Sequence, residues 1–140
     1  MSFDVFVDSY HDGLPAGISR DTVRLALGDF VSEIDSMCWQ VRYDPNNFCD
    51  LYLSKDADPN KIFGFMISRP CADVRLWEAV ATILGLGALV LHFDGRVALV
   101  GSASAVAHLP KEMIEIFGEP QCVSSGREIA DAIRADRDER

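Results

Sequence analysis

The middle of the chain alternates between apolar and polar residues, with the period of a half-buried strand. Trp39 and Val41 fall on one face of the first run, and a turn beginning at Pro45 leads into a second run over residues 49–53. A polar loop separates this run from a third, over residues 62–68. The order predicts an antiparallel meander of three strands.

Further strands are predicted on both sides of the meander. Residues 3–8 alternate in the same way, and the segment 11–17, which contains Gly and Pro, turns the chain. Residues 88–93 form a buried apolar run, Asp94-Gly95 supplies a hairpin turn, and residues 97–100 return beside it. Antiparallel hairpins therefore dominate the expected sheet.

The clearest helical pattern follows the meander. Asp73 is placed to cap a helix that runs to Leu84, in which Trp77 and its apolar neighbours recur at helical spacing. Ser19 is placed to cap an earlier, shorter helix. Between that helix and the meander, residues 29–36 fit either a further helical turn or a buried connection.

The C-terminal part of the chain contains shorter elements. Residues 104–117 have a helical pattern that Pro110 divides into two pieces, because proline has no N–H to donate. A short strand over residues 122–123 precedes a helix over residues 125–134. The charged residues from about position 135 onward are expected to form a fraying tail.

These elements predict an α+β fold in one domain over residues 1–140. The mostly antiparallel sheet has about six strands, and three to four helices pack chiefly on one face, because hairpins outnumber strand-helix-strand crossovers. A chain of 140 residues leaves no room for a second core of its own. Strand order does not follow from the pattern.

Net charge narrows the classes of partner. The chain has 13 Lys and Arg against 22 Asp and Glu, a formal charge of -9, so its field repels nucleic acid and anionic membranes and attracts a basic protein. The longest apolar stretch, residues 79–91, is too short to span a bilayer, and the acidic N-terminus does not fit a secretory signal. We expect a cytoplasmic protein that binds neither nucleic acid nor membrane.

Cysteine spacing argues against a metal knuckle and against a redox motif. No Cys-x-x-Cys pair occurs among the four cysteines, which are Cys38, Cys49, Cys71 and Cys122. The expected register of the meander places Cys49 opposite Tyr43 and Cys38 near residues 53–54, too far apart for a disulfide. We expect reduced, small buried side chains and no cofactor.

Spacing along the chain gives no catalytic signature. The segment Ser125-Gly126-Arg127-Glu128 fits a capping box, and Ser104, which lacks the Gly-x-Ser-x-Gly spacing of a nucleophile elbow, fits an N-cap. Asp8, His11 and Asp12 have the chemistry to bind a metal or exchange protons, yet an irregular loop gives them no common orientation, which favours a solvated turn. We therefore assign no catalytic, cofactor-binding or metal-binding residue.

The other two histidines are expected to be structural. His92 lies in an apolar strand, and His108 lies on a helix beside Leu109. Sequence spacing provides neither imidazole with a partner.

The polar face of the meander is the best candidate for a binding surface. It combines charged, amide and aromatic side chains, as protein interfaces do, although a face covered by other elements is the alternative. The first loop adds acidic and aromatic groups. The candidate partner-binding residues are Asp8, Tyr10, His11, Asp12, Gln40, Arg42, Asp50 and Tyr52.

In its size, acidity, absence of motifs and mixed antiparallel pattern, the chain resembles the small cytoplasmic immunity proteins that accompany bacterial polymorphic toxins. Three segments, Phe65–Cys71, Leu76-Trp77 and His108-Leu109-Pro110, resemble those of bacterial proteins of unassigned function, so no functional residue is carried over. The resemblance implies a stoichiometric inhibitor that plugs a toxin's active site or holds the toxin inactive, with acidic side chains matching a basic cleft.

Three hypotheses follow for the function. The principal one is binding of a protein partner through an acidic face, without chemistry of its own. Its rival is a small enzyme or ligand-binding domain whose site is assembled from distant residues around His92. The third is a subunit of a homo-oligomer. A toxin gene directly upstream of the coding gene would favour the first hypothesis, and a deep apolar pocket containing His92 would favour the second.

Overall fold

A sheet of ten strands runs through the centre of the protein. The computed structural model describes residues 3–93 and 97–138. In chain order the strands are β1 (Asp4–His11), β2 (Leu14–Pro15), β3 (Ile18–Ser19), β4 (Val31–Glu33), β5 (Cys38–Asp44), β6 (Asn47–Lys55), β7 (Lys61–Ser68), β8 (Leu89–Phe93), β9 (Val97–Val100) and β10 (Gln121–Cys122).

The strands are arranged in the order β10-β9-β8-β1-β7-β6-β5-β4, with β2 beside β1 and β3 beside β7. Strands β9 and β10 are parallel, and the other described pairs are antiparallel. The predicted meander is β5-β6-β7, and β1 joins it to β8 and β9. The expected α+β class with a mostly antiparallel sheet is thereby confirmed, while the predicted turn at Asp94-Gly95 lies outside the described residues.

The predicted number of about six strands is too low. Strands β2, β3 and β4 were not predicted, because segments of two or three residues are too short to show an alternating period. Of these, β4 follows a 3₁₀ turn over Gly28–Phe30, so the undecided segment 29–36 is a helical turn and then an edge strand.

The hairpin between β5 and β6 is tighter than the sequence predicts. Asp44 pairs with Asn47, which leaves Pro45 and Asn46 as the turn, and a register shift lies between Arg42 and Asp44. Cys49 therefore lies opposite Val41 rather than Tyr43, and Cys38 lies opposite Tyr52. The predicted register is wrong by two residues, because a longer loop was expected where a tight turn and a register shift occur.

The first two α-helices begin where the sequence places their caps. Their order is α1 (Arg20–Leu27), the 3₁₀ helix Gly28–Phe30, α2 (Val74–Leu84), the 3₁₀ helix Ala103–His108, α3 (Lys111–Phe117) and α4 (Gly126–Asp138). Ser19 Oγ accepts a hydrogen bond from the Thr22 N–H at 3.2 Å, and the Asp73 carboxylate accepts one from the Arg75 N–H at 2.8 Å. Pro110 separates the second 3₁₀ helix from α3, as expected.

Helix α4 continues past its predicted end at Arg134 to Asp138. Asp136 is buried, and the Arg137 guanidinium lies 4.2 Å from the centre of the Phe3 ring. Residues 135–138 therefore pack against the protein as helix, where their charge pattern predicts a fraying tail.

Helices α1, α2 and α4 pack on one face of the sheet, which we call the inner face. The core between them contains Val23, Leu76, Trp77 and Ile129 from the helices, together with apolar residues of every long strand. Trp77 is only 6% exposed, so its predicted place in the core is confirmed. Burial of this apolar layer is the main stabilising contribution to the fold.

The second 3₁₀ helix and α3 pack on the opposite, outer face of the sheet. Leu89 and Leu91 belong to the inner core, whereas Val90 between them packs with Val100 and Leu109 in a second apolar cluster. Adjacent strand residues point to opposite faces. The expectation of helices chiefly on one face therefore holds for α1, α2 and α4 but not for these two, which cover the outer face of β8 and β9. We call this area the covered half.

The remaining outer face, over β5, β6 and β7, has no helix above it among the described residues, and we call it the open half. Its strands point Trp39, Val41 and Leu51 inward to the core. The side chains between them point outward, so this half owes its polar surface to the alternation seen in the sequence.

The helices are short. The longest described one, α4, has 13 residues, and none of those described combines the length and apolarity needed to cross a bilayer.

Candidate functional site

The structure brings six of the eight predicted partner-binding residues to the outer face of the sheet and places the other two at its rim. The open half carries Gln40, Arg42, Asp50 and Tyr52. The neighbouring strand β1 carries Asp8 and Tyr10 on the same face, and its turn into β2 carries His11 and Asp12. The predicted set thus forms two groups, one in the open half and one beside the covered half.

A chain of polar contacts crosses the open half. Gln40 pairs with Asp50 across β5 and β6, and its Nε2 donates to Asp50 Oδ1 at 3.4 Å. Arg42 Nη2 donates to Gln40 Oε1, also at 3.4 Å. Both hydrogen bonds are long and therefore weak. A partner can replace them at small cost in free energy.

Exposed aromatic rings flank this chain of contacts. Tyr52 is 45% exposed and Phe48 is 44% exposed, and the Arg42 guanidinium lies 4.4 Å from the centre of the Phe48 ring. Aromatic and arginine side chains are the groups most enriched at the centres of protein interfaces. Sequence reasoning missed Phe48 because it placed this residue in the hairpin loop rather than in β6.

The side chains of Asp8 and His92 are within hydrogen-bond distance of each other, beside the open half. Strands β1 and β8 are neighbours, and His92 Nε2 lies 2.9 Å from Asp8 Oδ2 although 84 positions separate the two residues. The Phe6 ring stacks on the imidazole with centres 5.3 Å apart, and the Phe117 ring packs at 5.2 Å. His92 therefore has the partner that sequence spacing did not provide.

A groove of about 520 Å³ opens beside this pair, and Asp8, Tyr10, Leu14 and Phe63 line it. Burial, and then the nearby Asp8 carboxylate, raise the pKa of the Tyr10 phenol above its ordinary value. Tyr10 stays neutral across the physiological range. It contributes an apolar ring and a hydroxyl rather than a base.

The turn between β1 and β2 packs against the end of the second 3₁₀ helix. The Asp12 N–H donates to His108 Nδ1 at 3.2 Å, the Gly13 N–H donates to the His108 carbonyl at 2.9 Å, and the His11 ring stacks on the His108 ring at 4.9 Å. Asp12 has a φ of 49°, in the left-handed region. The His11 and Asp12 side chains are 70% and 76% exposed, as expected for a solvated turn, but these contacts give the turn a fixed orientation that the sequence did not predict.

His11, Asp12 and His108 offer three metal-ligand atoms within 4.8 Å of one another. The planes of the two imidazoles are only 17° apart, so their lone pairs run side by side instead of converging on one point, as two histidine ligands of one ion do. The arrangement of these three residues suits packing of the β1–β2 turn against the second 3₁₀ helix better than it suits metal binding.

The two serine caps have different outcomes. Ser125 Oγ accepts from the Glu128 N–H at 3.2 Å, as a capping box requires, while Glu128 Oε1 accepts from Ser124 Oγ at 2.7 Å and from the Ser124 N–H at 3.4 Å. Ser104 is not an N-cap. It lies inside the second 3₁₀ helix, and its Oγ is 2.9 Å from Ser102 Oγ.

All four cysteines are free, as expected, but their predicted burial is wrong for three of them. Cys49 is buried, Cys38 and Cys71 are half-buried, and Cys122 is exposed. Cys122 lies on the edge strand β10, whose residues are exposed, so an apolar residue type did not predict burial there.

No family model, no curated protein and no solved structure matches the chain.

Proposed function

We propose that this protein binds a basic protein partner through the open half of its outer sheet face and acts by occupancy rather than by chemistry. The observation that carries the proposal is the group of Arg42, Phe48 and Tyr52, exposed on a sheet face that no described helix covers. Aromatic rings and an arginine held on a β-sheet supply contact area with little loss of side-chain entropy.

Weak polar contacts support the same surface. The Gln40 amide and the Asp50 carboxylate each keep unfilled hydrogen-bonding capacity, because their mutual contact is at 3.4 Å. A partner that presents Lys or Arg can form a shorter, charge-assisted bond to Asp50. By contrast, Asp8 and Asp12 already lie near His92 and His108. Asp50 is therefore the acidic residue of the predicted set that we expect to contact the partner most directly.

The net charge of -9 supports a basic partner. Such a charge speeds the encounter with a positively charged protein, and this effect weakens as salt screens it. The expected signature is an association rate constant that falls with rising ionic strength, with a smaller change in the dissociation rate constant.

Among basic partners we favour a bacterial toxin, with this chain as its cytoplasmic immunity protein. The support is the resemblance in size, acidity and mixed antiparallel pattern to immunity proteins. Inhibition would follow from steric occupancy of a positively charged cleft, for which a flat sheet face with projecting aromatic rings is suited.

The test is site-specific photocrosslinking in the source cells. A photoreactive phenylalanine analogue replaces Tyr52 in one variant and Leu25 in another; Leu25 is 80% exposed on α1, away from the open half. We expect a discrete adduct from position 52 alone, containing a basic protein. Expressed by itself, that protein should arrest growth, and co-expression of the wild-type chain should restore it.

Three outcomes would contradict the proposal. Equal adducts from both positions would mean non-specific contact, and no adduct from position 52 would leave the open half without a partner. An adduct of the chain with itself would identify the open half as a homo-oligomer interface instead.

The Asp8–His92 pair favours a second candidate function, that of a small enzyme. A carboxylate 2.9 Å from an imidazole can hold the ring in one orientation and one tautomer, as a positioned general base requires. Asp8 also lines the groove beside Tyr10, but His92 is not among its lining residues, so a substrate held there would contact the carboxylate rather than the imidazole. Hydrolase or transferase turnover that His92→Asn abolishes, with the circular dichroism spectrum unchanged, would establish this function in place of the first.

A further inference from the structure

Two thiols meet where the open half joins the helix layer. Cys49 lies on the inner side of β6, Cys71 follows β7, and their sulfur atoms are 3.9 Å apart. Both cysteines are free, so this is a contact between two thiols. A disulfide requires the two sulfurs to approach to about 2.05 Å.

The two sulfurs have different surroundings. Contact with the Cys49 sulfur, and then a hydrogen bond from the Asp73 N–H, outweigh burial and lower the pKa of the Cys71 thiol to about 7. The same contact, together with burial, raises the pKa of Cys49 above its ordinary value. Of the two thiols, Cys71 therefore ionises first, and Cys49 retains its proton.

Access to solvent also differs between the two. Cys49 is buried, whereas Cys71 is half-buried and forms part of the wall of an open groove of about 600 Å³, beside Val74 and Trp77. A small oxidant can therefore reach Cys71 first. Cys49 is shielded from solvent yet within reach of Cys71.

We propose that Cys71 and Cys49 are a peroxide-sensitive pair, in which Cys71 is oxidised and Cys49 then closes a disulfide. This modification site is independent of the proposed binding function. The disulfide would link β6 to the segment that leads into α2.

The chemistry balances with hydrogen peroxide as the oxidant. The Cys71 thiolate attacks one peroxide oxygen, the O–O bond breaks, and the products are a sulfenic acid and hydroxide, which takes up a proton to form water. Cys49 loses its proton and attacks the Cys71 sulfur, a second water leaves, and the S–S bond forms. Overall, two thiols and one peroxide give one disulfide and two waters.

The other two cysteines provide matched controls. Cys122 is exposed on β10, and Cys38 points to the outer face opposite Tyr52 while Cys49 points inward. Exposure alone would make Cys122 the first thiol to react, whereas the pair predicts Cys71. The two explanations therefore give different products.

The test treats the purified protein with dilute hydrogen peroxide, blocks the remaining thiols after unfolding, and maps the disulfides by mass spectrometry. The wild-type protein should lose about two mass units, retain free Cys38 and Cys122, and yield a Cys49–Cys71 cross-linked peptide that dithiothreitol removes. The reaction rate should rise with pH, pass half of its maximum near pH 7 and level off at higher pH, as Cys71 ionises.

The variants separate the steps. Cys49→Ser should stop at a Cys71 sulfenic acid that dimedone traps, Cys71→Ser should form no internal disulfide, and Cys38→Ser and Cys122→Ser should behave as wild type. A wild-type map in which Cys49 and Cys71 both stay free while Cys122 is oxidised would overturn the proposal, and it does so without relying on the folding of any variant.

Discussion

The two halves of the outer sheet face differ in what lies above them. In the covered half, Val90 and Val100 pack beneath Leu109, and residues 89–91 and 97–100 are apolar on both faces of the sheet. In the open half, Gln40 and Tyr52 occupy outward positions on strands whose inward residues are equally well buried. The fold therefore has three layers at one end, with helices on both faces of the sheet, and two layers at the other end, with helices on the inner face only.

This difference can be read from the sequence. A strand that is covered on both faces has a continuous apolar run, as residues 89–91 do, and a strand with one free face alternates, as residues 38–43 do. Alternation of apolar and polar residues therefore predicts a sheet face that is exposed to solvent or to a partner. Substitutions in the covered half should therefore change stability, and substitutions in the open half should change binding.

The largest effect on stability is expected beneath both halves, in the inner core. Trp77 is 6% exposed between α2 and the sheet. Trp77→Ala should lower the free energy of unfolding by about 3 to 5 kcal/mol, because it leaves a large cavity. Urea denaturation measures this, with Val74→Ala, at a residue 56% exposed on the same helix, as the control. A change for Trp77 below about 1 kcal/mol would place it at the surface.

The second-largest loss of stability is expected for substitutions in the covered half. Leu109 is 5% exposed in the outer cluster, so Leu109→Ala should cost about 2 to 3 kcal/mol. The matched control is Ile116→Ala on α3, at a residue 67% exposed, which should stay within about 0.5 kcal/mol of wild type. If the two variants unfold at the same urea concentration, the second 3₁₀ helix does not cover the sheet.

A smaller effect is expected where the open half is tied to the helix layer. Asp73 caps α2, and its Oδ2 also accepts from Asn47 Nδ2 at 2.8 Å, at the start of β6. Asp73→Ala should cost about 1 kcal/mol at neutral pH. Asp73→Asn keeps the cap but loses the ionic contact with Arg75, so it should cost less.

The pH dependence of this cap has a definite sign. The hydrogen bonds from the Arg75 guanidinium outweigh burial and hold the pKa of Asp73 below its ordinary value. The charged form therefore contributes stability above the carboxyl pKa of the unfolded chain, about 3.9, and loses it as pH falls through the lower folded value. The difference in unfolding free energy between wild type and Asp73→Ala should shrink on acidification. A difference that grows instead would contradict this assignment.

Local signals accounted for most of the fold. The caps at Ser19 and Asp73, the meander and the break at Pro110 depend on neighbours within a few residues, and all four were predicted. The elements that were missed depend on distant contacts. Strands β2 and β3 exist because they pair with β1 and β7, and no local pattern encodes such short pairings.

In the candidate site, too, local sequence predicted some features, and contacts between distant residues determine the others. Alternation along β5 and β6 predicted which side chains share the open face, but not that Phe48 belongs to it. The pairs Asp8–His92 and Cys49–Cys71 join residues 84 and 22 positions apart. Sequence spacing cannot reveal them, because strand order and the exact path of a connection decide which side chains meet.

The smallest effect on stability is expected in the open half. Tyr52 is 45% exposed, so Tyr52→Ala should change the free energy of unfolding by less than about 0.5 kcal/mol in urea denaturation. A loss comparable to that of Leu109→Ala would mean that Tyr52 serves the fold, and the distinction between the two halves would fail.

The most direct test of the binding surface is the affinity of the purified partner, identified by crosslinking at position 52, for the wild-type protein and three variants. Isothermal titration calorimetry should show at least about 30-fold weaker binding for Tyr52→Ala, as for a central interface tyrosine, and weaker binding for Asp50→Lys. Leu25→Ala should bind as wild type does. Unchanged affinity for both Tyr52→Ala and Asp50→Lys would contradict the assignment of the open half as the surface through which this protein acts.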